Sequence, residues 1–219
     1  MSLDVCEIFY SLQGESSFAG LPCVFVRLSG CNLNCSWCDT VYAKTESTRI
    51  AIKDILHKVK SFGCNLVEIT GGEPLIQQKT PYLITLLIDE GFNVLVETNG
   101  SISIENLPCE CIKIIDIKCP SSNESLHNFF GNLTFMTQKD EIKFVIASKK
   151  DYKFAKNIIE NKLQSYYPVK IMNKHIHLSP VFGKIDPADL GSWILKDRLK
   201  ARLSMQIHKI IWAPEMRGI

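Results

Sequence analysis

The run Cys23-Val-Phe-Val-Arg-Leu28-Ser-Gly-Cys31-Asn-Leu-Asn-Cys35-Ser-Trp-Cys38-Asp-Thr40 decides the reading of this chain. Its first six residues are rich in β-formers and predict a strand. The loop that follows carries three cysteines spaced C-x3-C-x2-C, and three thiolates on one short loop make an incomplete metal cage. A structural zinc site takes four ligands and keeps no open position. His57 and Cys64 are the candidates for a fourth ligand, and neither sits at the usual finger spacing. A four-iron cluster held by three thiolates keeps one iron open for a non-protein ligand. The bland alternative is buried thiols acting as small core hydrophobes.

Outward from this loop, strands and helices alternate. Val5 to Tyr10 reads as a strand before the loop. After it, Ile52, Ile55, Leu56, Val59 and Phe62 mark one helix face, with Gly63 suited to the helix end. Leu66 to Thr70 predicts a strand ending in Gly71-Gly72. Leu83, Leu86 and Leu87 predict a helix stopping at Gly91, and Asn93 to Thr98 a strand ending in Asn99-Gly100. Strands follow at Ile112 to Lys118, Glu141 to Ala147 and His175 to Leu178. Tyr152 to Leu163 reads as a helix, and another starts at Pro187. Arg202 to Ile211 alternates and predicts a last strand. Strand–helix alternation implies parallel β/α units with right-handed crossovers. The predicted class is therefore α/β, a partial, open (β/α) barrel with parallel strands, in a single domain over 1–219.

Composition is that of an ordinary water-exposed globular chain: 219 residues, 46% hydrophobic and 22% charged. Net charge is +2, with the basic residues scattered, so no nucleic-acid partner is implied. No apolar run spans a bilayer, and no signal-peptide pattern is present. Nine cysteines without such a pattern predict a reducing, cytoplasmic setting. Core packing is the expected role of Cys6, Cys23, Cys64, Cys109, Cys111 and Cys119.

In parallel β/α folds, ligands sit outside the carboxyl ends of the strands. Four suspicious turns collect there: Cys31 to Thr40, Gly71-Gly-Glu-Pro74, Glu97-Thr-Asn-Gly100 and Asp116 to Ser122. Glycines let a backbone approach a ligand closely. Exposed carbonyls and the Glu73 carboxylate suit an ammonium group. Taken alone, Gly71 to Pro74 is equally a turn entering a helix with Pro in its first turn. Asp116 and Lys118 are equally a plain ion pair.

The triplet followed by Gly-Gly-Glu-Pro resembles the radical-SAM superfamily. There, the open iron binds S-adenosylmethionine (SAM), and the glycine motif holds the methionine amino group. Two further stretches resemble the 7-carboxy-7-deazaguanine synthase family: Phe9-Tyr-Ser-Leu-Gln13-Gly14-Glu15 with Arg27 and Cys38-Asp39-Thr40, and the tail from Leu203 through Ile219. The resemblance implies a [4Fe-4S] cluster on Cys31, Cys35 and Cys38. It implies SAM against Trp37, Cys38, Asp39, Gly72 and Glu73, with Glu97, Asp116, Lys118 and Ser121 as further contacts. It implies pterin contacts at Leu12, Gln13, Gly14, Glu15 and Thr70, a substrate carboxylate on Arg27, Mg2+ on Thr40, and the tail (Pro214, Ile219) over the substrate. A planar guanidinium suits a carboxylate, and Mg2+ takes few protein ligands.

The implied reaction is a lyase step turning 6-carboxy-5,6,7,8-tetrahydropterin into 7-carboxy-7-deazaguanine and ammonia, on the route to queuosine. A hydrogen leaves C6 and returns, so SAM is regenerated. An electron donor such as flavodoxin and a homodimer are implied partners. Two rivals stay open: a glycyl-radical enzyme activase, which shares the cysteine spacing, and a non-catalytic zinc-binding interaction module.

Overall fold

Seven strands lie side by side in chain order and all point the same way, so that seven loops open on one rim. The computed structural model describes residues 1–163 and 175–218. The strands are β1 (Ser2–Leu12), β2 (Pro22–Leu28), β3 (Thr48–Ala51), β4 (Leu66–Gly71), β5 (Asn93–Thr98), β6 (Ile112–Asp116), β7 (Glu141–Ile146), β8 (Ile176–Pro180) and β9 (Arg202–Leu203). They form one sheet in the order β3-β1-β2-β4-β5-β6-β7-β8-β9, with β2 to β9 parallel. The edges β3 and β9 do not meet, so the barrel is open, as the sequence predicts. β1 departs from the all-parallel pattern: it is antiparallel to both β2 and β3. Only residues 13–21 separate β1 from β2, enough for a hairpin and too short for a crossover.

Helices α1 (Ile52–Ser61), α2 (Thr80–Asp89), α3 (Lys149–Asn157), α4 (Pro187–Asp197) and α5 (His208–Ile211) complete the fold. α1 and α2 end where Gly63 and Gly91 take positive φ, +65° and +86°. Ser148 caps α3, accepting from the Asp151 N–H, and Asp186 caps α4, accepting from the Ala188 N–H with Pro187 in the first turn. Among the described residues, the β5–β6 and β6–β7 crossovers carry no α-helix.

Both faces of the central strands are buried, but they differ in chemistry. Val67, Ile69, Val94, Val96, Ile115, Ile142, Phe144 and Ile146 face the helices and pack on Ile55, Val59, Leu83 and Leu87. Each such side chain contributes ~1.5–3 kcal/mol of burial. The intervening residues point inward. At the floor, Phe25, Leu66, Leu95 and Ile114 form a small apolar plug. Above and beside it, the inner face carries Arg27, Glu68, Thr70, Glu97, Asp116, Glu141, Lys143 and His177. His177 Nε2 lies 3.0 Å from Glu141, whose carboxylate also accepts the Ser17 N–H.

Three readings of the sequence change. β3 carries no signal of its own, with Thr48 and Arg49 exposed. The last strand is only Arg202–Leu203, after which the chain turns into α5 instead of continuing to Ile211. Its alternation fails as a strand because the Ile207 N–H is drawn to the Gly14 carbonyl, 3.0 Å away, leaving Ile210 and Ile211 exposed. Of the cysteines assigned to packing, Cys23, Cys111 and Cys119 are buried, whereas Cys109 is exposed and Cys6 half-buried. Among the described residues no helix is long and apolar enough to cross a membrane.

Candidate active site

One cavity of about 600 Å³ opens at the rim and descends to the inner face of the sheet. Its upper wall is the cysteine loop. Cys31, Cys35 and Cys38 all line it, as free thiols. The loop is tied to three neighbouring rim loops. The Gly30 carbonyl accepts from Glu73 N–H (2.9 Å), Asn32 accepts from Asn99 Nδ2 (3.1 Å), and the Ser121 carbonyl accepts from Ser36 Oγ (2.8 Å). Glu124 accepts the Asn34 N–H at 2.8 Å.

The glycine pair serves this packing directly. A Cβ on Gly72 would lie 2.5 Å from both Cys31 Cβ and the Gly30 carbonyl oxygen, and one on Gly71 would lie 2.3 Å from the Leu28 carbonyl oxygen. No L side chain fits there, so Gly71 closes on the end of β2 and Gly72 on the cysteine loop, with Gly72 also facing the cavity. Glu73 is placed differently from the sequence reading. Its carboxylate is fully buried and turned away from the cavity, accepting from Leu75 N–H (2.9 Å), Asn99 N–H (2.7 Å) and Thr98 Oγ1 (2.9 Å). It braces two rim loops, and only its backbone remains to face a ligand. Ser121 likewise does not line the cavity: it holds the cysteine loop from behind and receives support from Asp151.

The three thiols are chemically suited to iron. Burial pushes the Cys35 thiol up, and Lys118 beside it opposes that shift; a metal is needed to draw off the proton fully. Among the described residues, no three His, Cys, Asp or Glu side chains converge so as to enclose a single ion. Nearby, Asp116 accepts from Lys118 Nζ at 2.7 Å through Oδ2, while its buried Oδ1 has no protein partner. An orphaned acceptor on the cavity wall fits a polar ligand such as SAM. Trp37 stands at the rim with Lys184 Nζ 5.5 Å from its ring centroid.

Thr40 Oγ1 donates to Asp39 Oδ1 at 2.9 Å, which leaves the hydroxyl lone pairs for a cation. Asp39 in turn is ion-paired with Lys209 of α5. Burial works against the Asp39 charge, but Lys209 outweighs it and holds the carboxyl at about 2. An all-oxygen site beside an ionised carboxylate fits Mg2+.

The floor gathers the residues expected to meet the pterin. Leu12, Gln13, Gly14, Glu15, Arg27 and Thr70 all line the cavity. Glu7 accepts from Arg27 Nε at 2.7 Å, leaving the two Nη groups as donors. Glu97, expected beside SAM, lies instead on the floor, ion-paired with Lys143, which also donates to Glu15 at 2.7 Å. Burial opposes the Lys143 charge, yet Glu15 and Glu97 hold its pKa well above the usual lysine value. Burial likewise opposes the Glu15 charge, and Lys143 overcomes it, keeping Glu15 low.

The sequence reading missed Glu68, Lys143 and His208. Glu68 and Lys143 had a signal: each is a charge alternating with aliphatics inside a strand (Val67-Glu-Ile69 and Ile142-Lys-Phe144). His208 lies so close to Gly14 that a Cβ there would be 2.0 Å from Nδ1. Burial lowers its pKa and keeps the ring neutral. In the tail, Pro214 and Glu215 line the cavity, and Arg217 pairs with Glu46 and stacks 3.5 Å over Tyr42. Ile219 lies outside the described residues.

An open parallel β/α sheet with a three-thiol loop and a glycine pair on its rim defines a radical-SAM enzyme, and the Radical SAM superfamily model matches residues 25–116. Over its whole length the chain is similar to "7-carboxy-7-deazaguanine synthase" of Chlorobaculum tepidum, at 44% identity over 99% of this chain and 97% of the relative. It is 39% identical to the protein of that name from Clostridium acetobutylicum, over all of both chains. The crystal structure of QueE from Escherichia coli superposes with a TM-score of 0.72, at 26% identity over 94% of each chain. The chain belongs to the 7-carboxy-7-deazaguanine synthase family. That family carries a [4Fe-4S] cluster and SAM and acts on a small molecule.

Proposed function

We propose that the chain converts 6-carboxy-5,6,7,8-tetrahydropterin into 7-carboxy-7-deazaguanine and ammonia, the lyase step toward queuosine. The observation that carries this reading is that one cavity joins the three-thiol rim to a floor of hydrogen-bonding carboxyls and one guanidinium. Cys31, Cys35 and Cys38 hold the cluster. Asp116, Lys118, Trp37 and the Gly72 backbone hold SAM, and when bound the two groups supply hydrogen-atom abstraction. Arg27 takes the substrate carboxylate with its Nη donors. Glu15, Gln13 and Glu97 take the heterocycle's N–H edge, as acidic acceptors suit an amino-amide edge. Thr70 flanks the ring, and Thr40 holds Mg2+ beside the substrate oxygens. Pro214 and the rest of the tail exclude water.

A flavodoxin-type electron donor, a homodimeric assembly and a reducing cytoplasmic setting belong to the same reading; nine free cysteines accord with the last. The activase and zinc-module alternatives find no support among the relatives. A ligand comparison tests the orientation. A pterin lacking the 6-carboxylate should bind the holoenzyme at least about tenfold more weakly than the carboxylated one, the loss of a charged hydrogen bond. Arg27→Gln should erase that difference. Equal affinity of both pterins for the parent would overturn the assignment.

A further inference from the structure

Three carboxyl groups share the cavity floor with one ammonium and with the Arg27 guanidinium, which Glu7 already pairs, so the charges do not match. Lys143 donates to Glu15 and Glu97. Among the described residues Glu68 forms no ion pair, although it is only 2% exposed. On β4 it sits opposite Leu95, two residues before Glu97 on β5, so the two carboxyls share the inner face as diagonal neighbours. Two abutting carboxylates served by a single lysine, itself already divided between two acids, are not both ionised.

The surrounding bonds have direction. Glu15 N–H donates to Gln13 Oε1 at 2.8 Å. That fixes the amide of Gln13, whose Nε2 donates to Glu68. One Glu68 oxygen is thereby an acceptor, and the carboxyl stands beside its diagonal neighbour Glu97 on the inner face. We propose that the Glu68 carboxyl donates a hydrogen bond to Glu97, closing a ring of Glu15, Gln13, Glu68, Glu97 and Lys143 that fixes how Glu97 presents its acceptor oxygens to the ligand. Glu68 is then a positioning residue, and three of its ring partners are groups assigned to the substrate.

Charge and burial agree with this ring. Burial, then the charge of Glu97, pushes the Glu68 carboxyl well above its ordinary range, against the opposing pull of Lys143. The ionisable groups facing it are Glu15 from the β1–β2 hairpin, Cys23 from β2, Glu97 from β5 and Lys143 from β7. Of these only Lys143 is a cation, and it is spent on the two neighbouring acids; Arg27, two residues beyond the Phe25 that pairs with Glu68, is a second cation on the inner face and is held by Glu7. The charge on the floor falls accordingly, which favours a neutral, donor-rich heterocycle edge over a cation.

The proposal rests on the substrate reading for its ligand, but the bond itself does not. Infrared difference spectra of the holoenzyme at neutral pH, parent against Glu68→Gln, should show the carbonyl stretch of a protonated carboxylic acid that the variant lacks. Glutamine keeps both a donor and an acceptor, so Glu68→Gln should bind the pterin within about threefold of the parent. Glu68→Leu should raise Kd and KM about tenfold or more while leaving kcat and cluster iron less affected. No acid band in the parent, or pterin binding by Glu68→Gln as weak as by Glu68→Leu, would overturn the proposal. If the leucine variant does not fold, the band and the affinity of Glu68→Gln decide. A parent that does not bind the pterin overturns the substrate reading, while the infrared arm still upholds or refutes the bond.

Discussion

A buried thiol is a poor nucleophile and a poor ligand until something removes its proton. Cys35 is raised by burial and has only Lys118 to offset it. In the proposed reading Cys31, Cys35 and Cys38 depend on one another through a shared cluster, and replacing any one by alanine should lose most cluster iron and all SAM cleavage. Full four-iron content in all three single variants would refute the assignment. Thr40→Ala should weaken stimulation by Mg2+ with no change in the cluster's absorption, because one hydroxyl is too weak a site without substrate oxygens. Glu73 has a different task. Its carboxylate satisfies Leu75, Thr98 and Asn99 in a site with no water access. Glu73→Ala should cost about 1–3 kcal/mol per stranded donor, visible in denaturant unfolding before any change in SAM affinity is considered. Gly71 and Gly72 were legible as a motif from sequence; the reason they must be glycine, the end of β2 against Gly71 and the cysteine loop against Gly72, was not.

At the scale of elements, the cavity is closed on one side by chain that is not part of the sheet. α5 and the tail are fastened by the Lys209–Asp39 pair and by Arg217 on Glu46 and Tyr42. The folded-state pKa of Asp39, about 2, lies below its ordinary 3.8. An acid held low in this way contributes stability that is present above the unfolded pKa and is lost as pH falls through the folded one. The fastening should therefore persist at neutral pH and weaken between about 4 and 2. It is partly exposed, so salt should weaken it too. Deleting residues 213–219 should raise the substrate KM or uncouple SAM cleavage from product, with cluster content intact. A truncated enzyme with the parent's KM and coupling would make the tail a bystander. The tail's place beside the cavity was suggested only by resemblance, since the alternation of Arg202 to Ile211 argued for a strand. The competing pull of Gly14 on Ile207 cannot be seen in a local pattern.

For the molecule as a whole, stability resides on the helix-facing side of the sheet and chemistry on the other. Ile69→Ala, at a fully buried position between β2 and β5, should cost about 2–5 kcal/mol. Leu126→Ala, at a position 96% exposed, should fall within about 0.5 kcal/mol of the parent. The parallel order and the open barrel were legible because helix and strand periods alternate along the chain. The inner face was not: strands buried on both sides read as continuous apolar runs, and the lone charges within them, Glu68 and Lys143, were passed over although they lie on the floor of the cavity. Glu97 closes the same strand pattern, and its pairing with Lys143 could not be read from a strand-end position. The central claim is that this one cavity performs the ring contraction. Anaerobic protein should be incubated with dithionite, SAM, Mg2+ and 6-carboxy-5,6,7,8-tetrahydropterin, and the pterin-derived product, ammonia and SAM quantified together. The account predicts 7-carboxy-7-deazaguanine and ammonia in equal amounts, over many turnovers, with SAM recovered. SAM cleaved without 7-carboxy-7-deazaguanine, by protein carrying a full cluster, would contradict it.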